Sequence, residues 1–352
     1  MTSLTLLLAV LSNDGHWLSG EQGQISVHWA APAAATLCDL TWRLKLGDTL
    51  LATDLLLIGR HESPVIKIVC PTVRARLALR WEWRLVRKTD RREIAAGSEN
   101  LMAYPDNLTS DWPALLNGKT IVVVDRASGI PALLQRAKIK HTRLANLTQL
   151  GTAVADIVII GPDMIEDHPF EQTALQSLVK AGTSVAVFRQ TRIQQLLGVE
   201  LAVRAIPDEL AWRADDPLLR GFDAEEMQSW RRDWGRGKVS HIRALRVSGG
   251  EASRAVVTWP VRSERVGSPA LSIAPAVDTL LLSRGGASAR GRLVLCQMPL
   301  GDWMTDPRSQ MFLGNVWDVL ISPPARHSGV TSRSADAAPR RSTVATISGG
   351  GR

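Results

Sequence analysis

Two tryptophans set four residues apart, Trp230 and Trp234, are the residues of this chain whose type and spacing suit ligand chemistry. Arg231, Arg232 and Asp233 lie between them. On a helix, residues i and i+4 share a face, and two indoles with a guanidinium beside them can stack the apolar face of a sugar ring. The same spacing also docks a helix onto a sheet, and the apolar-stripe rule favours that second use. Trp230, Trp234 and Arg231 are therefore the candidate carbohydrate contacts, with core packing as the competing role.

Other reactive groups are sparse. Cys38, Cys70 and Cys296 cannot all pair and have no metal-ligand spacing, so packed thiols are expected. A Cys38–Cys70 disulfide is the less favoured alternative and requires export. His168 follows Glu166 and Asp167, a pattern better explained by acids at a helix start than by a metal site. Asp125-Arg-Ala-Ser-Gly129 stands where α/β folds receive phosphates, yet it lacks a glycine-rich loop, and Asp125 repels phosphate. No catalytic residue, metal ligand or cofactor is assigned. Asn107-Leu-Thr and Asn146-Leu-Thr match a glycosylation triplet that has meaning only in a secretory context.

The elements that would position these residues fall into two blocks, and 352 residues suffice for two cores. Residues 1–110 read as β throughout. Strands are expected at Leu4–Leu11, Gln24–Ala30, Cys38–Leu46, Leu50–Ile58, Pro64–Cys70, Arg76–Val86 and Glu93–Leu101, a spacing that fits an immunoglobulin-like sandwich. In Arg76–Val86 the residues Leu77, Leu79, Trp81, Trp83 and Leu85 alternate with Arg80, Glu82 and Arg84, which gives one core face and one wet face.

After the turn-rich stretch Tyr104–Pro113, three apolar runs, Lys119–Asp125, Ala155–Gly161 and Ser184–Gln190, alternate with helix-length segments. That pattern predicts buried parallel strands with crossover helices, a doubly wound flavodoxin-like sheet over residues 111–322. A short helix is expected at Arg192–Leu197, a β stretch at Leu201–Ile206, a polar helix at Asp223–Trp234 and an irregular region to Ala289. The unit closes with a strand in Gly291–Met298 and a helix over Pro307–Ile321 whose Phe312 and Trp317 are candidate interface residues.

Net charge is +8, but residues 325–352 hold five arginines against Asp336 in a Ser-, Ala- and Gly-rich tail, so no nucleic-acid partner is expected. That basic tail, residues 323–352, is expected to be disordered. No apolar stretch approaches the roughly 20 residues of a membrane helix, and the N-terminal run lacks a basic start and cleavage site, so cytoplasmic placement is slightly favoured over export.

Several segments, in this order, resemble the accessory region that follows the catalytic barrel in bacterial family 2 glycoside hydrolases and related β-galactosidases. They are Trp112-Pro-Ala-Leu-Leu-Asn-Gly-Lys119, Ala155-Asp-Ile-Val-Ile-Ile-Gly-Pro162, Asp216-Pro-Leu-Leu-Arg-Gly-Phe222, Gln228-Ser-Trp-Arg-Arg-Asp233, Gly291–Gln297 and Asn315-Val-Trp-Asp-Val-Leu320. The resemblance covers about residues 110–322 and implies a class I glutamine amidotransferase-like fold, as in β-galactosidase trimerisation domains. An active amidotransferase has a cysteine in a Gly-x-Cys-x-Gly elbow after a central strand. Here Ser184–Phe188 runs into Arg189-Gln-Thr191, so no such residue carries over. The glycosidase carboxylate pair belongs to a barrel that this sequence does not contain.

What the resemblance implies is a non-catalytic accessory region acting through oligomerisation or active-site support, with a glycosidase chain or a second copy as partner and carbohydrate as a further ligand. The alternatives are a hydrolase with an unrecognised site and a carbohydrate-binding module.

Overall fold

The structure, a computed structural model, describes residues 7–11, 15–29, 37–59, 62–126, 129–152, 154–165, 169–206, 209–236, 241–247, 253–258, 277–284 and 291–322. His168 and the tail 323–352 lie outside them, as does the side chain of Trp234.

The N-terminal strands are β1 (Leu7–Leu11), β2 (His16–Leu18), β3 (Gln22–Trp29), β4 (Leu37–Leu46), β5 (Thr49–Gly59), β6 (Val65–Val69), β7 (Leu77–Arg87) and β8 (Glu93–Tyr104). They form a three-stranded sheet, β1-β3-β6, and a five-stranded sheet, β2-β8-β7-β4-β5. Alternation along each strand drives apolar side chains to one face. Ile25, Val27, Ile66 and Ile68 of the smaller sheet share a core with Leu40, Trp42, Leu44, Leu79, Trp81 and Leu85 of the larger. Burying these faces leaves Arg80 and Arg84 on the solvent side. Six of the expected strands recur within a few residues, and β1 covers the second half of the seventh, while the three-residue β2 is too short for a sequence pattern to mark.

The remaining elements are α1 (Trp112–Leu115), β9 (Ile121–Val124), α2 (Ile130–Arg136), β10 (Thr142–Leu144), β11 (Ile157–Ile160), α3 (Pro169–Ala181), β12 (Ser184–Phe188), β13 (Gln195–Leu196), β14 (Val199–Ala205), β15 (Ala211–Trp212), α4 (Ala224–Arg236), β16 (His241–Val247), β17 (Ser253–Thr258), β18 (Val277–Arg284), β19 (Leu293–Cys296) and α5 (Pro307–Ile321). One mixed sheet runs β10-β9-β11-β12-β19-β18-β16-β14-β13. Its first five strands are parallel, and β18 joins them antiparallel.

Both faces of the parallel part are covered, which is why its strands are apolar throughout. Ile121, Val123 and Phe188 pack with α2 and α5 on one side. Val122, Val124 and Val187 pack with Leu175 of α3 on the other. Helix α5 begins at Pro307 behind Asp306, whose carboxylate accepts the Arg308 amide at 2.9 Å, an N-cap with proline in the first turn.

Two expectations fail here. Arg192–Leu197 is not a helix: β13 and β14 form a hairpin, and Leu197 and Gly198 both take positive φ (49° and 81°), the requirement of a tight mirror-image turn. The stretch expected to be irregular holds β16, β17 and β18, whose ladder adds an antiparallel wing to the sheet. These are pairings between distant segments, and no local pattern announces them.

Candidate functional site

An open parallel sheet offers ligands the carboxyl ends of its strands, above all where the strand order reverses. Here β9 lies between β10 and β11, so the reversal falls at β9 and β11. Strand β9 continues into Asp125 and β11 into Gly161, and the two fill each other's space. Asp125 is 1% exposed, accepts the Ile130 amide at 3.3 Å and lies so close to Gly161 that a Cβ there would meet its Oδ1 at 2.7 Å.

Beside them β12 runs into Gln190 and β19 into Gln297, both fully buried. Gln190 Oε1 accepts the Ile165 amide at 2.9 Å, and its Nε2 donates to the carbonyls of Gly161 (2.9 Å) and Phe188. Gln297 Oε1 accepts the Gln190 amide at 3.1 Å, while its Nε2 has no partner among the described residues. The ends of β12 and β19 are thus filled by two neutral amides. They lock adjacent strand ends together and supply neither nucleophile nor base.

All three cysteines are buried and free. Burial pushes the Cys296 thiol up to about 12 and Cys70 up to about 11, with a nearby Glu21 adding to the latter, and it raises Cys38 as well. A thiol so shifted stays protonated near neutral pH and is a poor nucleophile. The Cys38–Cys70 disulfide is not formed.

Trp230 is 1% exposed. Its ring stacks on Phe222 (centroids 4.8 Å), meets Phe312 edge-on (6.2 Å) and has the Arg308 guanidinium 5.8 Å from its centroid. No face remains for a sugar, so the spacing of Trp230 serves to dock α4. Arg231 is half-buried and donates from Nε to Gln228 at 3.0 Å. Phe312 and Trp317 are also covered within this chain, Trp317 by Trp112 edge-on at 6.2 Å. Both belong to the core under α5, leaving no surface for a partner.

The structure also assembles a polar cluster that sequence reasoning missed, where the N-terminal sheets meet α4 and α5. His16 in β2 stands 3.0 Å from the Tyr104 hydroxyl through Nδ1 and 3.1 Å from Ser229 Oγ through Nε2. The Tyr104 hydroxyl donates to Glu226 Oε1, and Arg76 donates to Glu226 Oε2. Arg76 also reaches Asp223 Oδ2 at 2.8 Å, and Arg308, paired with Asp306 at 3.1 Å, donates to Ser229 Oγ at 3.4 Å.

Serine, histidine and acid in sequence invite a nucleophilic reading. Burial argues otherwise: His16, Tyr104, Glu226, Ser229 and Arg308 are each below 7% exposed, and Ser229 already contacts both His16 and Arg308. Burial first, then the Glu226 charge, holds the Tyr104 hydroxyl well above its ordinary range, and burial raises Glu226 despite Tyr104 and Arg76. The cluster joins two sheet systems with satisfied hydrogen bonds, a use that fixes orientation. Its members are scattered from residue 16 to residue 308, and no spacing could have signalled them.

Among the described residues no group of three or more His, Cys, Asp and Glu could hold a metal ion. Open grooves lie elsewhere: one of about 590 Å³ across the outer face of β4, β7 and β8, and one of about 460 Å³ between α1 and α5.

No family model matches the sequence, and no curated protein matches it. Among solved structures, the chain is similar to the CARDB domain of a Pyrococcus furiosus protein in complex with di-metal ions, at 9% identity over 28% of this chain and 89% of that one, TM-score 0.22. It is similar to Bacteroides uniformis β-glucuronidase 2 covalently bound to cyclophellitol-6-carboxylate aziridine, at 9% identity over 55% of this chain and 28% of that one, TM-score 0.20. A family 76 glycoside hydrolase from a bovine Bacteroides thetaiotaomicron strain matches at 7% identity over 33% of this chain and 24% of that one, TM-score 0.21. The structural neighbours of this mixed, β-rich chain thus include glycoside hydrolases, at very low identity and over part of each chain.

Proposed function

We propose that the chain is a non-catalytic accessory and assembly region that works beside a glycoside hydrolase of the β-galactosidase type. In this reading residues 1–110 are an immunoglobulin-like sandwich, residues 111–322 a degenerate class I amidotransferase-like unit of flavodoxin-like winding, and residues 323–352 a basic tail. The order of the six sequence segments supports it, as do the two facing N-terminal sheets and the five parallel strands with helices on both sides.

One observation carries the reading. The strand ends that would hold an amidotransferase nucleophile are filled by Gln190 and Gln297, whose amides bond to the neighbouring turns. A scaffold that has closed its own site, and joins its halves through a buried polar cluster, is suited to presenting a rigid surface. Its partner is the glycosidase catalytic chain or a second copy, and the contact lies outside Phe312 and Trp317, which the core consumes.

The test is light-scattering size exclusion of the protein alone and mixed with the glycosidase encoded nearest to it, with chromogenic glycoside turnover followed in each peak. A silent protein that self-associates, or that co-elutes with the glycosidase and raises its turnover, is the expected outcome. Turnover in the peak of the protein alone would overturn it.

A further inference from the structure

The wet face of the five-stranded sheet carries an ordered array of cations. Register places Lys45 beside Arg80 and Asn100, Arg43 beside Glu82 and Ser98, and Thr41 beside Arg84 and Ala96, in three successive rows across β4, β7 and β8. Rows on one face repeat every about 7 Å along the strands, and strands lie about 4.8 Å apart. The groove of about 590 Å³ runs across these rows.

Four cations share this area, and the central Glu82 offsets only part of their charge, held by Lys45 at 2.7 Å and Arg80 at 3.4 Å. Arg84 pairs with Glu93 at the margin, where both side chains are largely exposed. Arg43 is exposed and makes no hydrogen bond or ion pair among the described residues. Guanidiniums donate to carboxylate or sulfate oxygens in paired geometry, and the Thr41 and Ser98 hydroxyls stand beside them, Ser98 Oγ 3.3 Å from Arg80, while the Asn100 amide donates to Glu225 at 2.9 Å. Trp83, the one aromatic lining the groove, is half-buried, lies over Gly97 and packs against the core, so the groove offers a single partly covered ring.

We propose that the outer face of β4, β7 and β8 binds an anionic polysaccharide, one whose units carry both acid groups and hydroxyls, through Arg43, Arg80 and Arg84. One partly covered ring disfavours single-stranded nucleic acid, whose general binding relies on successive bases stacked on several rings. It disfavours neutral glycans for the same reason.

The site stands independently of any glycosidase partner, and its test has its own readout. Affinity electrophoresis of the full chain at low salt would use polygalacturonate, an uncharged glucan, polyglutamate and poly(dT). Retardation by polygalacturonate alone is expected, weakening as salt rises. The double variant Arg43→Ala/Arg84→Ala should lose about 10-fold in affinity with an unchanged melting temperature, because exposed ion pairs add little to stability. Binding that survives the double variant would overturn the proposal and point to the arginines of residues 326–352. No retardation by polygalacturonate, or equal retardation by poly(dT) or polyglutamate, would also overturn it.

Discussion

The buried junction around His16 and the open face around Arg43 contain the same kinds of groups, arginines, acids and hydroxyls, arranged to opposite ends. At the junction each named charge sits against a fixed partner, and Glu226 and Arg308 are 1% and 3% exposed. On the sheet face the pairs are partly exposed and incomplete, and Arg43 makes no hydrogen bond or ion pair among the described residues. The lesson is that composition does not distinguish a structural polar cluster from a ligand face. Exposure and the count of satisfied bonds do, since removing one partner of a buried set leaves an uncompensated group while an exposed one is re-solvated.

The sharpest way to break that contrast is at the junction's aromatic wall. Trp230→Ala, a core truncation beside Phe222, Phe312 and Arg308, should cost about 3–5 kcal/mol in urea unfolding. A cost near zero would mean that α4 is not docked as described. Next comes Glu226→Gln, which keeps the volume but leaves Tyr104 and Arg76 with a weaker acceptor; about 1–3 kcal/mol is expected by the same measurement.

Tyr104 gives a pH-resolved version of the test, because it is the single tyrosine of the chain. Its folded-state pKa is raised, chiefly by burial, so its contribution to stability is complete below the unfolded value of about 10 and is lost as pH rises toward the folded value. Ultraviolet titration should show no tyrosinate at pH 10 in the folded protein and its appearance together with unfolding. Tyrosinate formed in a protein still folded at that pH would show the hydroxyl to be open to water. The smallest effect belongs to the open face: Arg80→Ala should change stability by no more than about 0.5 kcal/mol, read from the thermal midpoint. A larger loss would make that face part of the fold's support and weaken its assignment to a ligand.

Much of the architecture was legible in the chain because it rests on local period. The alternation in Leu77–Leu85 and the unbroken apolar runs at 121–124, 157–160 and 184–188 each mark a strand by themselves, and Pro307 marks the start of α5 to the residue. The antiparallel wing was not legible, since β16, β17 and β18 acquire their identity from one another across long separations. The Trp230 pair was seen at the right spacing, and only its burial chose between the two roles that the spacing permits. The junction escaped entirely. A lone histidine at position 16 and a serine at 229 carry no periodic signal, Tyr104 lies in a stretch read as a turn-rich connector, and Arg76 and Arg308 stand at the starts of a predicted strand and a predicted helix.

That junction also has a history within each molecule. His16 is synthesised well before its partners, since Ser229 lies 213 positions later and Arg308 further still. Until α4 and α5 leave the ribosome, the imidazole and the Tyr104 hydroxyl have only each other and water as partners. Closing so long a loop costs little more than closing one half its length, about 0.6 kcal/mol per doubling, but the search takes longer. The joint can therefore close only after α4 and α5 have been made, and it ties them to strands synthesised long before.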